Sequence, residues 1–250
     1  MEKQSTLAMT ILGVLLAIGM SSAAFILGVQ AKKAASGQQS ITVKGLAVKD
    51  VQADNAEWTV TISVNDLTFA QALAKLRAER PALDAFLTKE GLDKSGWQEG
   101  SEEVRAHMVT TYLLGGGTKT EQQGYDASQS VIVATKDLVK IEAANKNFLA
   151  LQAEGHPATA SSPLYLVSNL EDIKMSLIAA ATENAKKRAE EFVKQDKVKV
   201  GLMRSASQGA FYILAAGGNS ETDDYGGVYD KTTIKKLAKV VVTIVYNIEQ

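Results

Sequence analysis

Asn219, Glu221, Asp223, Asp224 and Asp230 crowd one short stretch, and oxygen donors at that density could coordinate calcium. The spacing argues against it. A helix-flanked calcium loop needs glycine at its sixth position and glutamate at its twelfth, and counting from Asn219 these are Asp224 and Asp230. A solvated acidic loop is expected. GGGTKT (115–120) has the glycines and lysine of a phosphate loop but no glycine directly before Lys119 and no helical pattern after it. It reads as a hairpin connection. The two histidines, His107 in a strand and His156 before Pro157 in a loop, fall in no two-histidine metal spacing and beside no nucleophile elbow. Cysteine is absent, which removes thiolate chemistry and thiolate zinc sites. Lys186-Lys187-Arg188, flanked by Glu183, Glu190 and Glu191, reads as a mixed solvated helix face. The expectation is a protein without catalytic residues, metal or cofactor. A carboxylate pair converging only in the fold would be the way to a hydrolase.

Charge narrows the partners. Lysine and arginine number 27 against 28 aspartate and glutamate, a net charge of −1. Nucleic-acid binding draws most of its affinity from basic side chains on phosphates, so no nucleic acid is expected.

One segment has a solvent preference of its own. Between Lys3 and Lys32 no residue is charged, and Leu7, Ile11, Leu12, Leu15, Leu16, Ile18, Phe25, Ile26 and Leu27 leave no polar face. At about 1.5 Å per residue this stretch crosses a hydrocarbon core of about 30 Å. Residues 1–31 are therefore expected to be a signal anchor in a bilayer. Val29-Gln30-Ala31 also fits the small-residue rule for signal cleavage, although the apolar run exceeds the roughly 7–15 residues of a cleavable signal core. Lysines on both sides leave the orientation open. An N-terminal, signal-like segment implies a body outside the cytoplasm, in the periplasm of an inner-membrane protein; cleavage would give a periplasmic or secreted one.

Residues 32–40 read as a polar tether and 41–250 as the body. Trp58, Val60, Ile62 and Val64 alternate with Thr59, Thr61 and Ser63, the period of a half-buried strand. From Phe69 the period becomes helical through Leu73, Leu76, Leu83 and Leu87, with a kink or break expected at Pro81. Residues 91–100 read as a loop holding Trp97. Two strands, 104–112 and 130–134, follow, joined by a long glycine-rich connection over 115–124. A second helix starts near Asp137, with Ile141, Ala144, Phe148 and Leu151 on one face. After a loop over 156–163 comes a short strand at 164–167. A third helix is expected to be capped by Ser168 with Glu171 and to bury Met175, Ile178, Thr182, Ala185, Ala189 and Phe192. A strand at 200–214 and a closing strand follow, the latter with Val240, Val242, Ile244, Tyr246 and Ile248 facing one way. The order is that of an α+β body, mostly antiparallel sheet packed by three helices behind one transmembrane helix.

Several of these segments together resemble the SIMPL-domain family of bacterial envelope and secreted proteins. The carriers are ITVKGLA (41–47), GYDASQSVIVATKDL (124–138), SLIAAATENAKKRAEEF (176–192), VGLMRSASQG (200–209) and TIKKLAKVVVTIVYNI (233–248). The third helix departs from the family pattern, ending in QDKVKVG with glycine only at Gly201, and 66–100 has no clear counterpart. The resemblance transfers no catalytic residue. It implies self-assembly into a homo-oligomer and, for some members, a link to oxidative-stress tolerance.

Three functions compete. The first is a non-enzymatic, membrane-anchored envelope protein that assembles with itself. The second is an envelope module binding a ligand or peptide through Trp97, Tyr225 and Tyr229, aromatics being enriched at recognition sites. The third is the carboxylate hydrolase.

Overall fold

The computed structural model describes residues 2–36, 39–113, 115–217 and 227–249, with side chains of the first helix described over 11–31. That helix, α1 (Glu2–Ser36), runs on into the segment read as a tether. Its stretch Ile11–Ala31 has a mean hydropathy of 2.2 and contains no buried residue. Ile18, Phe25 and Leu27 are all open, and the Ser22 hydroxyl donates to the Ile18 carbonyl at 2.8 Å, which keeps this polar group satisfied within the helix. A fully apolar helix with no protein around it fits a membrane span.

The rest of the chain is α+β and forms two compact units. One comprises the chain up to Val48, Lys174–Phe211 and the chain from Lys239; the other comprises Lys49–Ile173 and Tyr212–Ala238.

The larger unit is built around β2 (Asn55–Asp66), whose Trp58, Val60, Ile62 and Val64 are buried as the alternation requires. β2 pairs antiparallel with β5 (Thr118–Thr135) from Ala56–Thr135 to Asp66–Tyr125. β3 (Trp97–Glu99) and β4 (Glu103–Tyr112) pair with β5, and β6 (Ala158–Ala160) and β7 (Leu164–Leu166) with β2. α2 (Phe69–Lys89) and α3 (Leu138–Ala153) bury Leu76, Leu83, Leu87, Ile141 and Phe148 in the same core. Trp58 meets Phe148 edge to face at 5.7 Å and donates from Nε1 to the Ser161 carbonyl at 2.9 Å. Both helices start at a side-chain cap: Thr68 accepts from the Gln71 N–H, and Asp137, the expected start, from the Lys140 N–H.

Four local expectations are corrected. α2 is not broken at Pro81, because buried residues on either side hold it to the sheet while Pro81 itself faces solvent. The 91–100 loop contains a 3-10 turn at Lys94–Gly96 and then β3, with Trp97 opposite Val133. The long hairpin connection shrinks, since Thr118–Gln123 are already strand and the turn is made by Gly115, Gly116 and Gly117, all at positive φ. β6 forms inside the 156–163 loop.

In the other unit, α4 (Leu170–Lys194) lies along a three-stranded sheet ordered β1 (Ser40–Gln52), β9 (Lys235–Glu249), β8 (Lys199–Ala215). Val240, Val242, Ile244 and Tyr246 are buried as expected. The buried stripe of α4 within this unit is Leu177, Ala181, Ala185, Ala189 and Val193, while Met175 and Phe192 are 59% and 67% exposed. Ala185 and Ala189 are buried as expected and Ile178 and Thr182 half-buried, so the expected stripe errs at its two bulky ends. The Ser168 N–H and hydroxyl both donate to the Asp54 carboxylate, at 2.9 and 2.5 Å.

Candidate functional site

Among the described residues the Asp230 carboxylate stands out for the number of its hydrogen bonds. Its Oδ1 accepts from the Thr232 N–H at 2.9 Å and the Thr232 hydroxyl at 2.7 Å. Its Oδ2 accepts from the Thr233 N–H at 3.3 Å, from the Thr233 hydroxyl and from Lys236 Nζ at 3.3 Å. Lys236 is fully buried, and Nζ also donates to the Asp230 carbonyl at 2.6 Å. Burial alone would raise the Asp230 pKa, but the donors from Thr233, Thr232 and Lys236 overcome it and hold the group well below the usual carboxylate range.

This cluster sits on the turn entering β9, beside a recess of ≈ 380 Å³ lined by Asp50, Val51, Gln52, Ala216, Lys235 and Lys236. Chemically the cluster is closed. A carboxylate has about four lone-pair positions, and Asp230 already receives five donors. An ammonium paired on its own carboxylate is no nucleophile. The arrangement fastens a turn.

Tyr229 belongs to the same turn. Its hydroxyl accepts from the Val167 N–H at 2.8 Å, and Lys231 and Lys236 each lie 5.9 Å from its ring centre. The structure places it half-buried with its hydroxyl engaged. Trp97, also half-buried, packs on the core with Lys94 Nζ 5.5 Å from its ring, while its Nε1 is buried without a partner. Tyr225 lies outside the described residues, as do Asn219, Glu221, Asp223 and Asp224. Trp97 thus packs on the core, and Tyr229 ties its own turn to the segment at Val167.

The histidines are also engaged. His107 Nδ1 is 2.7 Å from Asp126, and His156 Nδ1 is 2.7 Å from Glu79. Among the described residues no hydroxyl hydrogen-bonds either ring, so neither pair extends to a nucleophile, and no three carboxylate or histidine side chains converge as metal ligands. His156 also borders a groove of ≈ 420 Å³ between α2 and α3, floored by Ala82, Phe86 and Leu151, with Lys89, Glu90 and Glu154 at its rim.

A further ionic cluster centres on Arg80, which donates to Asp84 at 2.8 Å and to the Gln129 side chain at 2.7 Å and lies 3.1 Å from Glu99 as an ion pair. It ties α2 to β3 and β5.

Residues 41–234 match the family model described as SIMPL, protein of unknown function (DUF541). The chain belongs to the SIMPL family. The matched region ends just before β9, so the closing strand lies beyond it. Comparison with curated proteins gives no match.

Sequence reading missed both Asp230–Lys236 and Asp54–Ser168. For the first a signal existed: Lys236 continues the even-numbered positions Ala238, Val240, Val242 and Ile244, the buried face of β9. A lysine on a core face needs a carboxylate nearby, and Asp230 followed by two threonines is a turn that can supply one. Nothing local announces Asp54–Ser168, whose members are 114 positions apart.

Proposed function

We propose that this SIMPL protein is a non-enzymatic component of the bacterial envelope, held in the inner membrane by α1 with its body in the periplasm, and that it assembles with copies of itself. The observation that carries self-association is the edge strand β8. It pairs with β9 on one side, and among the described residues its other side is met only near its end, where Ile213 bridges Tyr229. Residues 202–209, LMRSASQG, are exposed throughout, with Leu202 at 78% and Met203 at 47%. Edge strands are ordinarily blunted by lysines, prolines or bulges. This one has a single charge in that stretch, Arg204, and no proline. An open strand edge is self-complementary, since two copies can pair antiparallel about a twofold axis.

The non-enzymatic part of the reading is supported by the use of the polar clusters described above, each of which is spent on holding structure. The mass of the full-length protein in detergent tests the assembly. A multiple of the 26.7 kDa chain mass is expected, falling when Leu202→Lys and Met203→Lys are combined; a monomer across micromolar concentrations would refute it. The stress-tolerance link implied by the family resemblance is tested by peroxide survival of a deletion strain, complemented in trans.

A second reading, a small-ligand binding module, is favoured by the α2–α3 groove. It predicts that Ala85→Trp, which fills the groove, abolishes ligand uptake without affecting assembly.

A further inference from the structure

β4 and β5 continue as a two-stranded ribbon after β2 has ended. The β2 ladder stops at Asp66–Tyr125, while β4 and β5 remain paired from Met108–Gln122 out to Tyr112–Thr118. A ribbon with no third element is marginal in water. A register shift between Ala106 and Met108 marks its base, where His107 is held by Asp126. Large apolar side chains stand in the open along it: Met108 near the base is 55% exposed, and Tyr112 and Leu113 at the far end are 83% and 51%.

We propose that the tip of this ribbon is a second membrane contact, in which Tyr112 and Leu113 enter the interfacial layer of a bilayer with Lys119 at the headgroups. Four observations on the chain support lipid as the occupant. The tip is convex and narrow, far short of the roughly 1,000 Å² that a specific protein interface needs. Its chemistry, an aromatic and a leucine beside a lysine, is that of a membrane–water boundary. From Val104 to Thr120 there is no acidic residue, whereas Arg105, His107 and Lys119 are present. Arg105 and Lys119 pair only with exposed Glu103 and Glu121, contacts that anionic headgroups can replace.

The turn itself suits entry into a medium that offers no hydrogen bonds. The Leu113 N–H donates to the Gly117 carbonyl at 3.1 Å and the Gly116 N–H to the Leu113 carbonyl at 3.2 Å, so these main-chain groups are satisfied internally. Gly115, Gly116 and Gly117 add no side chain to the tip, and no heavy atom lies within 4 Å of where their Cβ atoms would be. A chain anchored by its own span meets lipid at high effective concentration. The proposal rests on the anchor reading of α1 and is independent of self-association.

The absence of cysteine makes the test clean. Full-length Thr118→Cys and, separately, Ser22→Cys are labelled with an environment-sensitive dye. Each is placed in nanodiscs of phosphatidylethanolamine and phosphatidylglycerol, with and without lipid carrying a nitroxide quencher, shallow for Thr118 and deep in the acyl chain for the mid-span Ser22. Quenching of the Thr118 label is expected, with its loss when Tyr112→Ser and Leu113→Ser are added and circular dichroism is unchanged. Quenching at Ser22 alone overturns the ribbon contact while leaving the anchor intact. Quenching at neither position overturns the anchor, and the ribbon contact with it. A Thr118 label shielded without quenching, increasingly so with more copies per disc, overturns lipid in favour of a second copy.

Discussion

Gly45 on β1 lies so close to α4 that a Cβ built on it would stand 1.9 Å from the Ala181 carbonyl oxygen and 2.8 Å from the Ala185 Cβ. Two main-chain contacts lock the same approach, the Leu46 N–H to the Asn184 side chain at 3.1 Å and Arg188 to the Lys44 carbonyl at 3.2 Å. Gly45→Ala therefore cannot be absorbed by rotating a side chain, since backbone must move. A loss of at least about 1–3 kcal/mol is expected, read as a lowered thermal midpoint of the full-length protein in detergent.

The face of α4 gives a second test. Ala189 is fully buried and Phe192 is mostly exposed. Ala189→Leu is expected to cost about 1–3 kcal/mol by overpacking. Phe192→Ser should stay within about 0.5 kcal/mol of wild type, as surface changes do. Chemical denaturation of both variants checks the pair, and the reverse order would mean that α4 is rotated.

Asp230 and Lys236 respond unequally to truncation. Asp230→Ala leaves a fully buried ammonium without its carboxylate, and about 3–5 kcal/mol is expected. Lys236→Met leaves Asp230 with four donors from Thr232 and Thr233 and should cost less. Denaturation midpoints of the two variants rank them.

The same carboxylate sets a pH dependence. Its folded pKa lies below its ordinary value of 3.8, so the unfolded chain takes up the proton first as pH falls. The stabilisation is complete above that ordinary value and is lost as pH falls towards the folded one. Asp230→Asn should flatten the acid limb of the stability curve between pH 5 and the depressed value, which guanidinium titrations at stepped pH would show.

The two tryptophans separate packing from hydrogen bonding. Trp58 donates to Ser161, whereas the buried Nε1 of Trp97 has no partner. Trp58→Phe removes that hydrogen bond and leaves space at a fully buried position, and should cost about 1–3 kcal/mol. Trp97→Phe removes an unsatisfied N–H along with some packing and should cost the less of the two in urea titrations.

What could be read in advance was what repeats locally. The alternation at Trp58–Val64 and Val240–Tyr246 and the cap at Asp137 each require only neighbours in sequence, and each stands in the structure. The α4 stripe was legible at Ala185 and Ala189 and misread at Met175 and Phe192, where bulk was taken for burial, while the distance to β1 is set by Gly45, Ala181 and Ala185. Pro81 was over-weighted because its effect was judged without the core that holds α2 on either side. The Asp54–Ser168 contact depends on how the chain returns, and no period in the sequence encodes it.

The unbroken course of α1 through Ala31 bears on how the protein is retained. A peptidase must draw its substrate out as an extended strand before the scissile carbonyl can be reached. Here Val29, Gln30 and Ala31 are wound into a helix that continues to Ser36, and exposing that peptide bond means unravelling more than a turn of backbone hydrogen bonds. Any cleavage after Ala31 therefore has to include local unwinding of this helix as a step of its own.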